Sequence, residues 1–110
     1  MAADPVDVDP KHYSVEFEND RVRVLRINYG PHKKSVMHRH PPGIAVMLRD
    51  CDFRFYLPEH KTQEIIGKAG AIISLEEAFE HLPENLTDKS FEAVLIELKS
   101  CLPHQGIQRI

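Results

Sequence analysis

Among the seven histidines of this 110-residue chain, two stand one residue apart in His38-Arg39-His40. The residues leading into them, Ser35, Val36 and Met37, suit extended chain. Along an extended segment, residues i and i+2 point to the same face, so both imidazoles can reach a single ion. Imidazole nitrogen is a ligand for iron, zinc, nickel, manganese or copper, and the sequence does not choose among these divalent transition metals. A third imidazole from a strand across the fold would complete a three-nitrogen face. Three protein ligands leave positions open for water or substrate, the arrangement that metal catalysis needs. The competing reading makes His38 and His40 polar lining residues that hydrogen-bond to carbonyls. His12, His32, His60 and His104 fall in turns or tails and are read as surface residues.

The elements that must position the pair are short and β-like. Tyr13, Val15 and Phe17 alternate with Ser14, Glu16 and Glu18, the pattern of a half-buried strand, and Asn19-Asp20 is a turn signal. In Arg21 to Tyr29 the apolar set slips from Val22 and Val24 to Leu25, Ile27 and Tyr29, which a β-bulge or a strand covered on both faces would explain. Pro41-Pro42-Gly43 reads as a turn whose glycine takes positive φ, and Ile44 to Leu48 as a strand buried on both faces. Further strands are expected over Asp52–Leu57, Thr62–Ile66, Ala71–Leu75, Phe79–Asn85 and Ser90–Leu98. About nine short strands separated by Gly, Pro, Asn and Asp indicate an all-β sandwich or barrel. Glu76, Glu77, Ala78 and Glu80 favour helix by propensity, but Pro83 limits Leu75–His81 to a single turn at most. Residues 1–11, with Pro5, Pro10 and several aspartates, read as a flexible, irregular acidic arm. Residues 12–99 form the barrel domain, and residues 100–110, with Pro103 and Gly106, a loose tail.

Two spaced motifs carry a resemblance to the cupin superfamily of small jelly-roll barrels. His38-Arg39-His40 is similar to the His-x-His of the first cupin motif. The Glu that follows it in cupins is absent, its place being taken by Ile44 and Ala45. The second motif is matched in register by Gly70, His81 and Asn85, while Glu76 and Ala78 stand where the family has Pro and Gly. The resemblance implies an antiparallel jelly-roll β-barrel with His38, His40 and His81 as metal ligands facing one interior pocket. Three-histidine iron centres occur among cupin-type dioxygenases, so the lost Glu does not exclude an oxygenase. Three neutral imidazoles would leave the metal's charge uncompensated, making it a stronger Lewis acid but a more weakly held ion. A different reading puts His81 at the rim beside Glu80 and Glu84. Cupins often pair their barrels, so a homodimer is expected, with an edge strand or the arm packed on its neighbour.

Composition narrows the function classes. Asp and Glu (17) outnumber Lys and Arg (14), giving a net charge of -3 and no basic footprint for nucleic acid. No apolar run approaches the roughly 20 residues of a membrane span, and the start lacks a secretory signal, so a soluble, cytoplasmic protein is expected. Cys51 and Cys101 are read as reduced thiols. No Gly-x-Ser-x-Gly elbow, phosphate-binding glycine loop or His-Glu-x-x-His is present, and nothing brings Cys51 and His60 together as a nucleophile pair. The expected function is a metal-dependent oxygenase or isomerase of a small organic molecule, with Ile44, Val46, Phe53 and Phe55 shaping the pocket or core. The alternative is a non-catalytic module that binds a metal or small ligand, and the sequence leaves open whether the protein is an enzyme.

Overall fold

The computed structural model describes residues 3–99. Nine strands follow one short helix: α1 (Pro5–Val8), β1 (Tyr13–Glu18), β2 (Val22–Tyr29), β3 (His38–His40), β4 (Gly43–Met47), β5 (Cys51–Leu57), β6 (Lys61–Gly67), β7 (Ile72–Leu75), β8 (Phe79–Asn85) and β9 (Phe91–Leu98). They form two antiparallel sheets, ordered β1-β2-β9-β4-β7 and β3-β8-β5-β6. Side chains from the inner faces of both sheets meet in one core. Leu25, Tyr29, Phe91 and Leu95 come from one sheet and Phe53 from the other, with the Phe53 ring 5.0 Å from Tyr29 and 4.8 Å from Phe91. This is the expected all-β jelly roll. No helix among the described residues is long and apolar enough to cross a membrane.

Alternation explains β9 best: Phe91, Ala93, Leu95 and Glu97 are all buried, with less buried residues between them. In β2 the side chains keep a single phase. Leu25 and Tyr29 are buried on the inner side, while Val22 and Val24 turn outward. The bulge lies in the partner strand, where Val15 pairs with Leu25 and Phe17 already with Val24. Glu16 is the extra residue, and it moves Phe17 to the outer face.

Several expectations need correction. Ile44 to Leu48 is not covered on both faces: Ala45 and Met47 point inward, whereas Ile44 and Leu48 are exposed. Gly43 is a strand residue without positive φ; a Cβ there would lie 2.3 Å from the Ile96 carbonyl oxygen, so β4 and β9 approach too closely for any side chain. Residues 76–80 are not helical, because Phe79, His81, Pro83 and Asn85 must share the inner face of β8. The irregular arm is partly ordered. Asp4 caps α1 by accepting from Val6 N at 2.9 Å, with Pro5 buried at the first helical position, so the Asp and Pro taken as breakers are a helix-start signature. The Ala3 carbonyl accepts from Arg39 N at 3.0 Å, which fastens this segment to β3. The tail expected over residues 100–110 lies outside the described residues.

Gly70 and Asn85, two of the three residues matched to the second motif, hold the fold. Gly70 has φ +89°, which a side chain rarely adopts. The buried Asn85 amide donates to the Gly30 and Lys89 carbonyls (3.1 and 2.9 Å) and accepts from Thr87 N and Oγ1 (3.1 and 3.0 Å). The close strand contact gives a direct test. Gly43→Ala should cost about 1–3 kcal/mol of unfolding free energy by overpacking against backbone. Gly67→Ala, whose nearest contact would be an ordinary 3.5 Å, should be near neutral. Urea titrations of the two variants make the comparison.

Candidate metal centre

The three sequence-identified histidines are brought together. His38 and His81 are directly opposed in the β3–β8 ladder, and directly opposed residues share a face. The third imidazole therefore comes from the neighbouring strand, not from across the fold. His40 lies on the same side of β3, and one ring nitrogen from each residue falls within 4.8 Å of the others. All three are buried; His81, at 4% exposure, is not a rim residue. Glu80 alternates away from it toward Arg39, and Glu84 accepts from the Tyr56 hydroxyl at 2.7 Å.

Hydrogen bonds assign the ring protons of two of them. His38 Nδ1 lies 2.8 Å from the Val36 carbonyl, which only accepts, so Nδ1 carries the proton. His40 Nδ1 lies 3.0 Å from Glu97 Oε2 and donates to it in the same way. The two Nε2 atoms, the nitrogens not engaged by these partners, lie 3.1 Å apart. Neither nitrogen of His81 has a hydrogen-bond partner among the described residues. Three buried imidazoles with ring nitrogens this close, one of them without any hydrogen-bond partner, fit a cation.

Arg54, Tyr56 and Glu97 are strand residues whose faces the sequence leaves undecided, and of the three Glu97 belongs to the site. It is 2% exposed, and the inward run Phe91, Ala93, Leu95 carried the signal that would have placed it. Its other oxygen accepts from Arg23 Nε at 2.9 Å, and Arg23 Nη2 donates on to Asp4 Oδ2 at 2.8 Å. Glu97 stands opposite Gly43, two residues before Ala45, so a carboxylate returns to the site from β9 behind His40. Such a bond to the far nitrogen of a ligating histidine fixes its tautomer and ring orientation. Under His38, Ser35 Oγ donates to buried Asp9, which also accepts from His12 Nδ1 at 2.7 Å. His12 is thus no surface residue; its ring stacks on Tyr29 at 4.3 Å. His32 and His60 are exposed, as expected, and His104 and Cys101 lie outside the described residues. Cys51 is a buried free thiol whose pKa is raised by burial.

Beside the histidines lies a cavity of about 450 Å³, lined by His40 and His81, by Phe53 and Phe55 as expected, and by Phe79 and Phe91. Ala45 lines it where cupins carry Glu; Ile44 and Val46 turn to the outer face and shape neither cavity nor core. Glu76 and Glu77 lie at its exposed end.

No family model and no curated protein matches the chain. Among solved structures, a cupin domain from Bordetella pertussis superposes with a TM-score of 0.74 at 26% identity, over 80% of this chain and 92% of that one. The chain has the cupin fold. A cupin superfamily protein from Desulfitobacterium hafniense (TM-score 0.60, 11% identity, 80% and 76% covered) shares its fold. So does the polyketide cyclase RemF from Streptomyces resistomycificus (TM-score 0.59, 14% identity, 83% and 66% covered).

Within this cupin fold, phenyl rings surround the imidazoles; Phe55 and Phe79 lie 4.3 and 4.6 Å from His81. Burial, then the nearness of His40, lowers the pKa of His38 to about 4 and drives that of His81 well below its ordinary value. Both rings are therefore neutral, with lone pairs free, at pH 7. The unfolded chain binds these protons at about pH 6.5 and the native state only at lower pH. The corresponding stability is complete above about pH 6.5 and is lost as pH falls toward the folded pKa. For metal-free protein the expected slope is up to about 1.4 kcal/mol per pH unit for each histidine. Thermal unfolding between pH 7.5 and 4.5 checks it, and His81→Phe should flatten the slope.

Proposed function

We propose that His38, His40 and His81 hold a divalent transition metal at the inner end of the cavity, where this cupin acts as an oxygenase or isomerase on a small organic molecule. The single observation that carries the reading is the donor set itself: one ring nitrogen from each of three buried histidines within 4.8 Å of the others, with both nitrogens of His81 unpartnered. A bound metal would supply Lewis acidity and, if redox-active, dioxygen chemistry. The chain's own residues do the rest. Glu97 and the Val36 carbonyl keep the Nε2 atoms of His40 and His38 unprotonated, and the phenyl rings exclude water. Glu97 also places negative charge near a centre whose ligands are neutral. A second reading, a non-catalytic binding module, is favoured by the sparse polar lining of the cavity beyond the histidines.

Metal analysis of untagged protein tests the centre. His38→Ala and His81→Ala should each abolish most metal uptake, with folding kept by circular dichroism. Glu97→Gln should weaken affinity about 10–100-fold, and His60→Ala should change nothing. Wild-type metal content in His81→Ala would reject the three-histidine centre. Turnover of candidate substrates separates the enzyme from the binding module.

We also propose a homodimer, formed through the outer face of the five-stranded sheet. The segment Ala3–Asp9 spends its polar groups on its own barrel, which removes the reason for expecting an arm exchange. The outer face instead carries one apolar row across four strands, Phe17-Val24-Ile96-Ile44, with Phe17 55% and Ile44 39% exposed. Light scattering at micromolar concentration should show a dimer, and Phe17→Lys with Ile44→Lys a monomer.

A further inference from the structure

The cavity has a charge pattern as well as a size. Its walls are phenyl and aliphatic, with Phe53, Phe55, Phe91, Leu57 and Ile65 among them. Among the described residues, no lysine or arginine lines it. Its polar side chains are His40 and His81 inside, the Tyr13 and Tyr29 hydroxyls, which bond to each other at 2.6 Å, the buried Cys51 thiol, and Gln63, Ser74, Glu76 and Glu77 at the outer end. These last four are exposed, so this is where the cavity meets solvent. Gln63 lies on β6 and Ser74 on β7, the terminal strands of the two sheets among the described residues, so the mouth opens between two sheet edges.

An anion entering here meets two carboxylates at the mouth. Inside, it gives up its hydration for phenyl walls that offer no countercharge, a transfer that costs several kcal/mol without a partner. A flat, uncharged ring system loses nothing comparable and gains the apolar area it buries. A volume of about 450 Å³ sits toward the small end of ordinary ligand pockets, which run to roughly 300–1,000 Å³.

Resting on the reading of this cavity as the working site, we propose that its ligand is an uncharged, predominantly apolar aromatic or alicyclic molecule, with a single oxygen function directed to the histidine end. Anionic metabolites such as phosphate esters and carboxylic acids are selected against by the walls and the mouth.

Three probes of one shape test the charge rule: 2-naphthol, uncharged at pH 7, 2-naphthoate and 2-naphthylmethylammonium. Calorimetric titrations use the full chain after dialysis against a chelator, because a bound metal would itself attract the carboxylate. Expected is a dissociation constant for 2-naphthol at least tenfold below that for 2-naphthoate, with Glu76→Gln/Glu77→Gln narrowing the gap at low ionic strength. Ile73→Phe, which fills the cavity, should weaken 2-naphthol at least fivefold; if that variant misfolds, Leu75→Phe serves. Equal or tighter binding of 2-naphthoate, failure of all three probes to bind, or undiminished binding after filling overturns the proposal. Its failure is separable from that of the metal centre. Protein that takes up no metal but ranks the probes as expected loses the centre and keeps the ligand class. Protein that takes up metal but prefers 2-naphthoate after chelation does the reverse.

Discussion

A carboxylate buried inside a small apolar barrel must be met by donors on every side, and Glu97 organises the structure around that requirement. Arg23 from β2 and His40 from β3 satisfy its two oxygens, and Asp4 closes the far side of Arg23. Gly43 lets β4 come close enough to leave the carboxylate covered. One side chain on the last strand thereby ties the N-terminal turn, both sheets and the histidine pair into one arrangement. Removing a single partner would leave a charge stranded in a low-dielectric interior, which costs far more than an exposed ion pair contributes.

The imidazoles obey the opposite rule. Ringed by Tyr13, Phe55 and Phe79, His38 and His81 are held neutral by the same apolar surroundings that stabilise the barrel. One nitrogen of each ring converges on the other two, so the interior keeps an unmet demand for a cation. That demand opposes stability in the metal-free chain. Unlike buried Asp9, Asn85 and Glu97, whose polar atoms are met by partners, His81 has none, and a residue selected only for folding would be apolar there.

Much of this was legible from residue order. The turn residues and period-2 runs located all nine strands, and i, i+2 spacing put His38 and His40 on one face. Gly70, His81 and Asn85 pointed to the third histidine, although only His81 belongs to the site. What escaped depends on contacts between distant residues. Gly43 looked like a turn glycine because its true constraint, the Ile96 carbonyl, is more than fifty positions away in the chain. Glu97 was left faceless although its own strand alternates cleanly. The Asp4-Pro5 start of α1 was read as disorder because the same residues that break helices also begin them. The helix-favouring residues at 76–80 were overruled by the four inward positions of β8, a tertiary demand that local propensity does not contain.

The bulge at Glu16 gives β1 a change of parity within six residues. Tyr13 belongs to the interior beside His38, whereas Phe17, after one uncounted residue, belongs to the opposite surface. One strand thus serves two environments whose requirements can drift independently. The bulge is what separates them. Losing Glu16 would leave Phe17 opposite Val24 in an unbroken ladder, whereas keeping Glu16 without the bulge would set Glu16 opposite Val24 and turn Phe17 inward. The bulge thus absorbs a change of strand length at the exterior while the chemistry-bearing interior stays fixed.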